Sequence, residues 1–425
     1  MSNARIPVRL ISRLMVDITP LRESPDFRRL WAGGGLSGLG GQMTSYAVIL
    51  QVYQLTRSSL AVGMVGLFIA VALIAVSVLG GAIVDATDRR RTVLVATSVQ
   101  AVVSAALAAQ AFAGLGQVWL LYCLVAVQSA VAGVNTPAQR TFIPSLLPRE
   151  QLPAGAALQM VTMYITLLAG PALAGLITAA FQLKICYLVD AVSFAFSLYA
   201  VARLPVMRPA GQNSTRGLRA IGEGLRFIAR TRAILGVFLA DMSATFLGMP
   251  FALFPAINAE RFGGHPQTLG LMTTAVAAGG LAGSALSGPA GRIGRPGLGM
   301  LVAGAVWGAG LVAFGLAGSF WLAFLTLIVA GAADVTSVVL RTALIQSLTP
   351  DRLLGRVSAA DLAVGAGVPQ LGNFRAGAVA SLTSPTISAV SGGLATVAGT
   401  ALIGLLVPGL VTFRTARPLP SQAPA

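Results

Sequence analysis

Apolar residues come in long blocks along nearly the whole chain, each bounded by a short polar segment. The first six blocks run Trp31–Gln54, Ser59–Val84, Thr92–Ala113, Gln117–Pro137, Leu152–Phe181 and Lys184–Leu204. After a polar interval come Ala233–Ile257, Thr268–Ala290, Gly297–Gly318, Phe320–Leu340, Val357–Leu382 and Thr386–Phe413. A bilayer core about 30 Å thick takes roughly 20 apolar residues of helix. Backbone groups in lipid must be paired within the segment itself, so helices are the element expected for such runs. The pattern predicts an all-α membrane protein of twelve transmembrane helices, divided into a bundle of six at 31–204 and a bundle of six at 233–413.

The interval 205–232 breaks the pattern with Pro209, Gly211, Asn213 and Ser214, then offers a basic amphipathic stretch, Leu218 to Ile228, expected to lie at the membrane surface. Residues 1–30 alternate Arg, Asp and Pro with single apolar residues, unlike a secretory signal. Of the 29 Lys and Arg, all but Arg57, Lys184, Arg261 and Arg375 fall on the side of the N-terminus. Basic residues gather in cytoplasmic loops, so the linker 205–232, the segment 1–30 and the tail 414–425 are all expected in the cytoplasm.

Composition narrows the classes. Only 10% of residues are charged, against about 25% in soluble domains. The net charge of +16 suggests nucleic-acid binding when taken alone, but its distribution over short loops, and not along one face, argues for membrane topology instead. Cys123 and Cys186 lie in apolar runs without metal-ligand spacing, and His265 is the single histidine, so no metal site, cofactor or His-centred catalysis is expected. No G-x-x-x-x-G-K-[ST] phosphate loop occurs, which disfavours an ATP-driven pump.

The halves also echo each other. Val134-Asn-Thr is matched by Val335-Thr-Ser, and at the same offset Arg140-Thr141 is matched by Arg341-Thr342, at the exits of the fourth and tenth helices. Parallel repeats of this kind are a known transporter plan. Between the second and third helices stands Gly81-Ala-Ile-Val-Asp85-Ala-Thr-Asp88-Arg89-Arg90-Arg91. This turn resembles motif A of the major facilitator superfamily: Gly81, Asp85, Arg89 and Arg90 match, while Ala86 and Asp88 replace the usual Arg and Gly. A degenerate copy, Gly288-Pro-Ala-Gly291-Arg292-Ile-Gly294-Arg295, follows the eighth helix and lacks the acid. The resemblance implies a conformational latch in which Asp85 meets the start of the eleventh helix, Arg356-Val-Ser358; a carboxylate at a helix N-terminus gains roughly 0.3–1 kcal/mol. Gly170-Pro171-Ala-Leu-Ala-Gly175 on the fifth helix resembles the end of motif C of antiporters, although a plain kinked packing helix is the competing reading.

Phe27-Arg-Arg-Leu-Trp31, Gly38-Leu-Gly-Gly41 and Arg341-Thr-Ala-Leu-Ile-Gln346 are similar to the enterobactin-exporter and multidrug-efflux branch of that superfamily. This implies a monomeric exporter in the bacterial inner membrane, carrying a small amphiphilic, siderophore-type molecule by proton-coupled alternating access. Multidrug or macrolide efflux is the alternative, and a nontransporting scaffold or sensor is the alternative of another class. In the superfamily the first, fourth, seventh and tenth helices line the cavity. Intramembrane acids there are expensive and therefore functional candidates, which singles out Asp241 and Asp334 for proton coupling. Arg341 is a possible neutraliser of Asp334, Asp190 lies on an outer helix, and Asp361 is expected to complement a helix dipole. Gln42, Tyr46, Gln128 and Asn135 are polar cavity candidates, with Phe246 and Phe251 as an apolar wall that lipid or core packing explains equally well.

Overall fold

The structure, a computed structural model, describes residues 17–86, 88–140, 142–204, 218–285 and 294–414; the side chains of 77–86, Arg89, Arg140 and 218–221 lie outside that description. The chain is all-α among these residues. Its long helices are α1 Pro25–Thr56, α2 Ser59–Ala86, α3 Arg89–Phe112, α4 Val118–Arg140, α5 Leu152–Phe181 and α6 Lys184–Ala202. Then come α7 Arg232–Arg261, α8 Pro266–Ala285, α9 Pro296–Leu316, α10 Phe320–Leu348, α11 Asp351–Leu382 and α12 Pro385–Leu406. Ten helices among the described residues are long and apolar enough to cross a bilayer. The other two long helices, α1 and α11, have the length, 32 residues each, but carry polar side chains that face inward.

Local chemistry sets the boundaries. The Ser24 hydroxyl accepts from the Phe27 amide at the start of α1, and Ser384 does the same for Ile387 at the start of α12. Asp88, which replaces a motif glycine, caps α3: its Oδ1 accepts from the amides of Arg90 at 2.9 Å and Arg91 at 3.2 Å. The departure from the motif therefore has a local use. Arg57, at a φ of 51°, ends α1 in the left-handed conformation.

A linker helix, Leu218–Arg230, lies on the predicted amphipathic stretch and packs against α11. We call the end of the bundle that holds it the linker end, and the opposite end the far end. Within the first half α1 packs on α5 and α6, and α3 on α6; in the second α8 and α9 pack on α10, and α9 on α12. Two pairs make most of the contact between the halves, α2 with α11 and α5 with α8. By order in their halves α2 corresponds to α8 and α5 to α11, so this is one contact made twice. Val102, Trp119, Leu382 and Leu405 are all more than half exposed, an apolar exterior suited to lipid.

The closest inter-half approaches lie toward the far end. A Cβ on Gly66 of α2 would stand 2.5 Å from the Gln370 carbonyl oxygen of α11. One on Gly270 of α8 would stand 2.5 Å from the Pro171 carbonyl, and one on Gly175 of α5 2.8 Å from that of Pro266. Bare backbone on both sides lets the helices touch. The Tyr46 hydroxyl adds a 2.7 Å bond to the Pro266 carbonyl across the same seam.

Candidate functional site

Among the described residues the halves close toward the far end, and between them lies a cavity of about 890 Å3. Its wall extends from Gly34 and Gln139, near the linker end, to Tyr46, Phe251, Phe254 and Leu269 beneath the far-end closure. The first half supplies uncharged hydrogen-bonding groups: Gln42, Gln100, Gln128, Asn135 and Gln139. Asn135 donates to Gln100 Oε1 at 2.6 Å, which orients both, whereas Gln128 Oε1 has no hydrogen-bond partner among the described residues. The second half contributes the aromatic floor, where Phe254 stands edge-on to Phe251 at 5.2 Å between ring centroids. Asp334, on α10, is the one charged residue of the described cavity wall, and no ion pair reaches it among the described residues.

Arg341, seven residues further along α10, is 8% exposed and bridges two acids from neighbouring helices. It pairs with Asp241 of α7, and its Nε lies 3.3 Å from Asp361 Oδ1 of α11. Arg341 thus pairs with Asp241 and Asp361 and not with Asp334, and Asp361 serves as an ion-pair partner beyond any helix-dipole role. Asp241 is buried in this bridge and is not part of the cavity wall. Phe246 is also absent from the wall, with 39% of its surface exposed. Gln42, Tyr46, Gln128, Asn135 and Phe251 all line it.

The expected continuous seventh helix is interrupted. A wide π-turn spans Ser243–Leu247, the helical ladder lapses at Met249 and Pro250, and a 3-10 turn at Phe251–Leu253 leads into Phe254–Arg261. Pro250 has no amide hydrogen to continue the ladder. Side chains meet the backbone around this break: Trp307 donates to the Ala244 carbonyl, which also accepts from the Gly248 amide, Arg375 Nη2 donates to that of Leu247 at 2.5 Å, and Asn373 Oδ1 accepts from the Ala252 amide. This gives Arg375 its partner, a carbonyl and not an acid. The break turns Phe251 and Phe254 into the floor of the cavity.

The sequence profile of the transmembrane secretion effector family matches residues 16–416, nearly the whole chain. The chain belongs to this family. Among its curated relatives, the enterobactin exporter EntS of Citrobacter koseri is 25% identical over 410 residues, 96% of this chain and 98% of that one. EntS of Shigella boydii serotype 18 is 25% identical over 414 residues, covering 97% and 98%. Among solved structures, the nucleoside transporter NupG aligns with a TM-score of 0.70 at 13% identity, over 92% of this chain and 100% of that one. A bacterial homologue of the iron transporter ferroportin, in an inward-facing state, aligns at 0.68 and 15% identity, over 92% and 99%. These structures share the fold, that of the major facilitator superfamily. The chain is a multi-pass membrane transporter and not an enzyme.

Of the motif residues, the side chains of Gly81, Asp85 and Arg89 and most of the second copy, residues 288–293, lie outside the described residues. Arg90 Nη2 donates to the Ala202 carbonyl at the end of α6 at 2.6 Å. The start of α11 is held from the linker helix, where Glu223 pairs with Arg356 and Gly224 lies against the Arg356 carbonyl. On α5, Gly170 packs on Gln42, Pro171 lines the cavity and Gly175 sits in the far-end seam. Sequence reasoning passed over Gln100 and Asn373; Thr97, Gln100 and Ser104, polar at helical spacing on one face of α3, were the available signal for the first.

Proposed function

We propose that this protein is a proton-coupled exporter of small amphiphilic molecules in the bacterial inner membrane, working by alternating access. The observation that carries the reading is the cavity between the halves, with an unpaired carboxyl, Asp334, on its wall. Its volume falls within the roughly 300–1,000 Å3 usual for small-molecule sites. The basic loops assign the linker end to the cytoplasm, so the cavity faces the compartment from which an exporter loads. Asp334 takes a proton when the cavity faces outward and releases it inward, and the charge it carries in each state biases cargo binding. Arg341 with Asp241 and Asp361 holds the linker-end halves of α7, α10 and α11 as one body during the swing. Asp85 and Arg90 of the motif turn latch the state closed at the linker end.

A siderophore of the enterobactin type is the first cargo to test, since EntS is named for that export and Gln42, Gln128 and Asn135 offer neutral partners for catechol and amide groups. A second reading, efflux of cationic amphiphilic drugs, is favoured by the sign of the wall charge, negative at Asp334 over a floor of Phe251 and Phe254. Uptake into inverted membrane vesicles, with and without an imposed proton gradient, separates the two by cargo. Gradient-stimulated uptake that persists unchanged in Asp334→Asn would end the coupling role of that residue. Absence of any gradient stimulation in the native protein would end the exporter reading as stated.

A further inference from the structure

The mechanism above leaves one buried acid unused. Asp190, in the middle of α6, has no solvent exposure, and its carboxyl sits between α1, α3 and α6. Its Oδ2 accepts hydrogen bonds from Thr44 of α1 at 2.8 Å and from Ser104 of α3 at 2.7 Å, while its Oδ1 has no hydrogen-bond partner among the described residues. An ionised carboxylate has about four acceptor positions to fill. Burying one with two neutral donors and no cation is costly, and such a group takes up a proton instead. The contrast with the second half is direct, where Arg341 stands between Asp241 and Asp361; no ion pair reaches Asp190 among the described residues.

The surroundings carry no other charge. Its own helix offers the thiol of Cys186 and the hydroxyl of Tyr187, each about one turn away, the latter committed to Gln51 Oε1 at 2.7 Å. From α1 the titratable group is Tyr46, which is committed to Pro266; from α5 it is Tyr164, on the cavity wall; α3 has none between Arg91 and Phe112. The space for the carboxyl comes from Gly40, in the Gly38-Leu-Gly-Gly41 stretch. A Cβ there would lie 2.7 Å from Asp190 Oδ1 and 2.6 Å from Ser193 Oγ.

Thr44 is the connection to the transport path: it lines the cavity and bonds to Asp190. We propose that Asp190 is a second proton-carrying site, in the first half of the protein, that exchanges with cavity water through the Thr44 hydroxyl. In the neutral acid, rotation of that hydroxyl reverses the bond, so that Asp190 O–H donates to Thr44 Oγ. The carboxyl O–H bond then breaks as Thr44 accepts its proton and gives its own to a cavity water, leaving the carboxylate, the intact threonine and a hydronium. Reprotonation runs the same steps backwards. The exporter would thus hold one cavity-linked acid in each half, Asp190 in the first and Asp334 in the second.

The role in transport rests on the proton-coupled reading, but the protonation itself is tested without it. Infrared difference spectra of the purified protein, taken across a pH step, report a carboxylic acid C=O band that vanishes on ionisation. The expected result is a band lost in Asp190→Asn and retained in Asp334→Asn, with its response slowed in Thr44→Val. In inverted vesicles, Asp190→Asn should lose stimulation by a proton gradient while exchange of labelled for unlabelled cargo continues, a measurement that also shows the variant is folded. A band unchanged in Asp190→Asn, or gradient stimulation intact in that variant, overturns the proposal. So does a band displaced by sodium ions at constant pH, which would assign the oxygen cluster to a metal cation. If the native protein shows no gradient stimulation but the Asp190 band is present, the exporter reading fails and the protonation site stands.

Discussion

Replacing Arg341 by Met isolates the strongest electrostatic contact of the second half. Arg341 is 8% and Asp241 5% exposed, so the variant leaves a buried carboxylate without its cation. Breaking a buried pair by removing one partner costs about 3–5 kcal/mol. The Asp361 contact adds less, because 20% of that side chain is exposed and pairs near solvent contribute about 0–1 kcal/mol. Neutralising the orphan should recover most of the loss, so Arg341→Met with Asp241→Asn should be markedly more stable than Arg341→Met alone. A double-mutant cycle by thermal or denaturant unfolding in detergent should give a coupling of about 2–4 kcal/mol. An ordinary hydrogen bond between membrane helices is worth about 0.6 kcal/mol on average. A measured coupling below about 1 kcal/mol would show that the pair is no more than such a bond, and the account of Asp241 as a buried, Arg-held anion would be wrong.

Other consequences follow from the seam and the helix break. Gly66→Val should force α2 from α11 at the Gln370 carbonyl, so that a Gln42→Cys reporter, in a background with Cys123 and Cys186 replaced by Ala, is labelled from the far end by an impermeant thiol reagent; unchanged labelling would contradict the seam. Tyr46→Phe removes one neutral bond across the same closure, about 0.5–1.5 kcal/mol, and should raise that labelling about two- to tenfold. Arg375→Leu leaves the Leu247 carbonyl unpaired and should lower stability by about 1–3 kcal/mol, with Arg375→Lys recovering part of it in the same unfolding assay. Phe251→Ala should raise KM for an aromatic cargo while leaving that for a small polar one in place, read from vesicle uptake at varied concentration.

The membrane class, the run of helices and the family were legible in the chain, because lipid imposes its requirement on each helix separately: about twenty apolar residues with the backbone paired internally. Polar positions on α1 and α4, such as Gln42, Tyr46, Gln128 and Asn135, could also be assigned to the cavity, since a polar group in an apolar helix must face protein or water. That rule says which residues turn inward and does not say which helix they meet. Asp241 and Asp334 look alike in sequence, yet one is locked by Arg341 and the other faces the cavity. The difference depends on how α7, α10 and α11 pack at one level. Phe246 and Phe251 are likewise separated only by the break at Met249 and Pro250, which redirects the chain between them. Asp190 joins Thr44 and Ser104 across sequence separations of 146 and 86 residues. Composition along the chain decided that this protein lives in a membrane and turns certain groups inward, because that constraint is local. Which charges are paired, which are free and where the cavity opens were decided by tertiary packing alone, because electrostatic partners are chosen by distance in space.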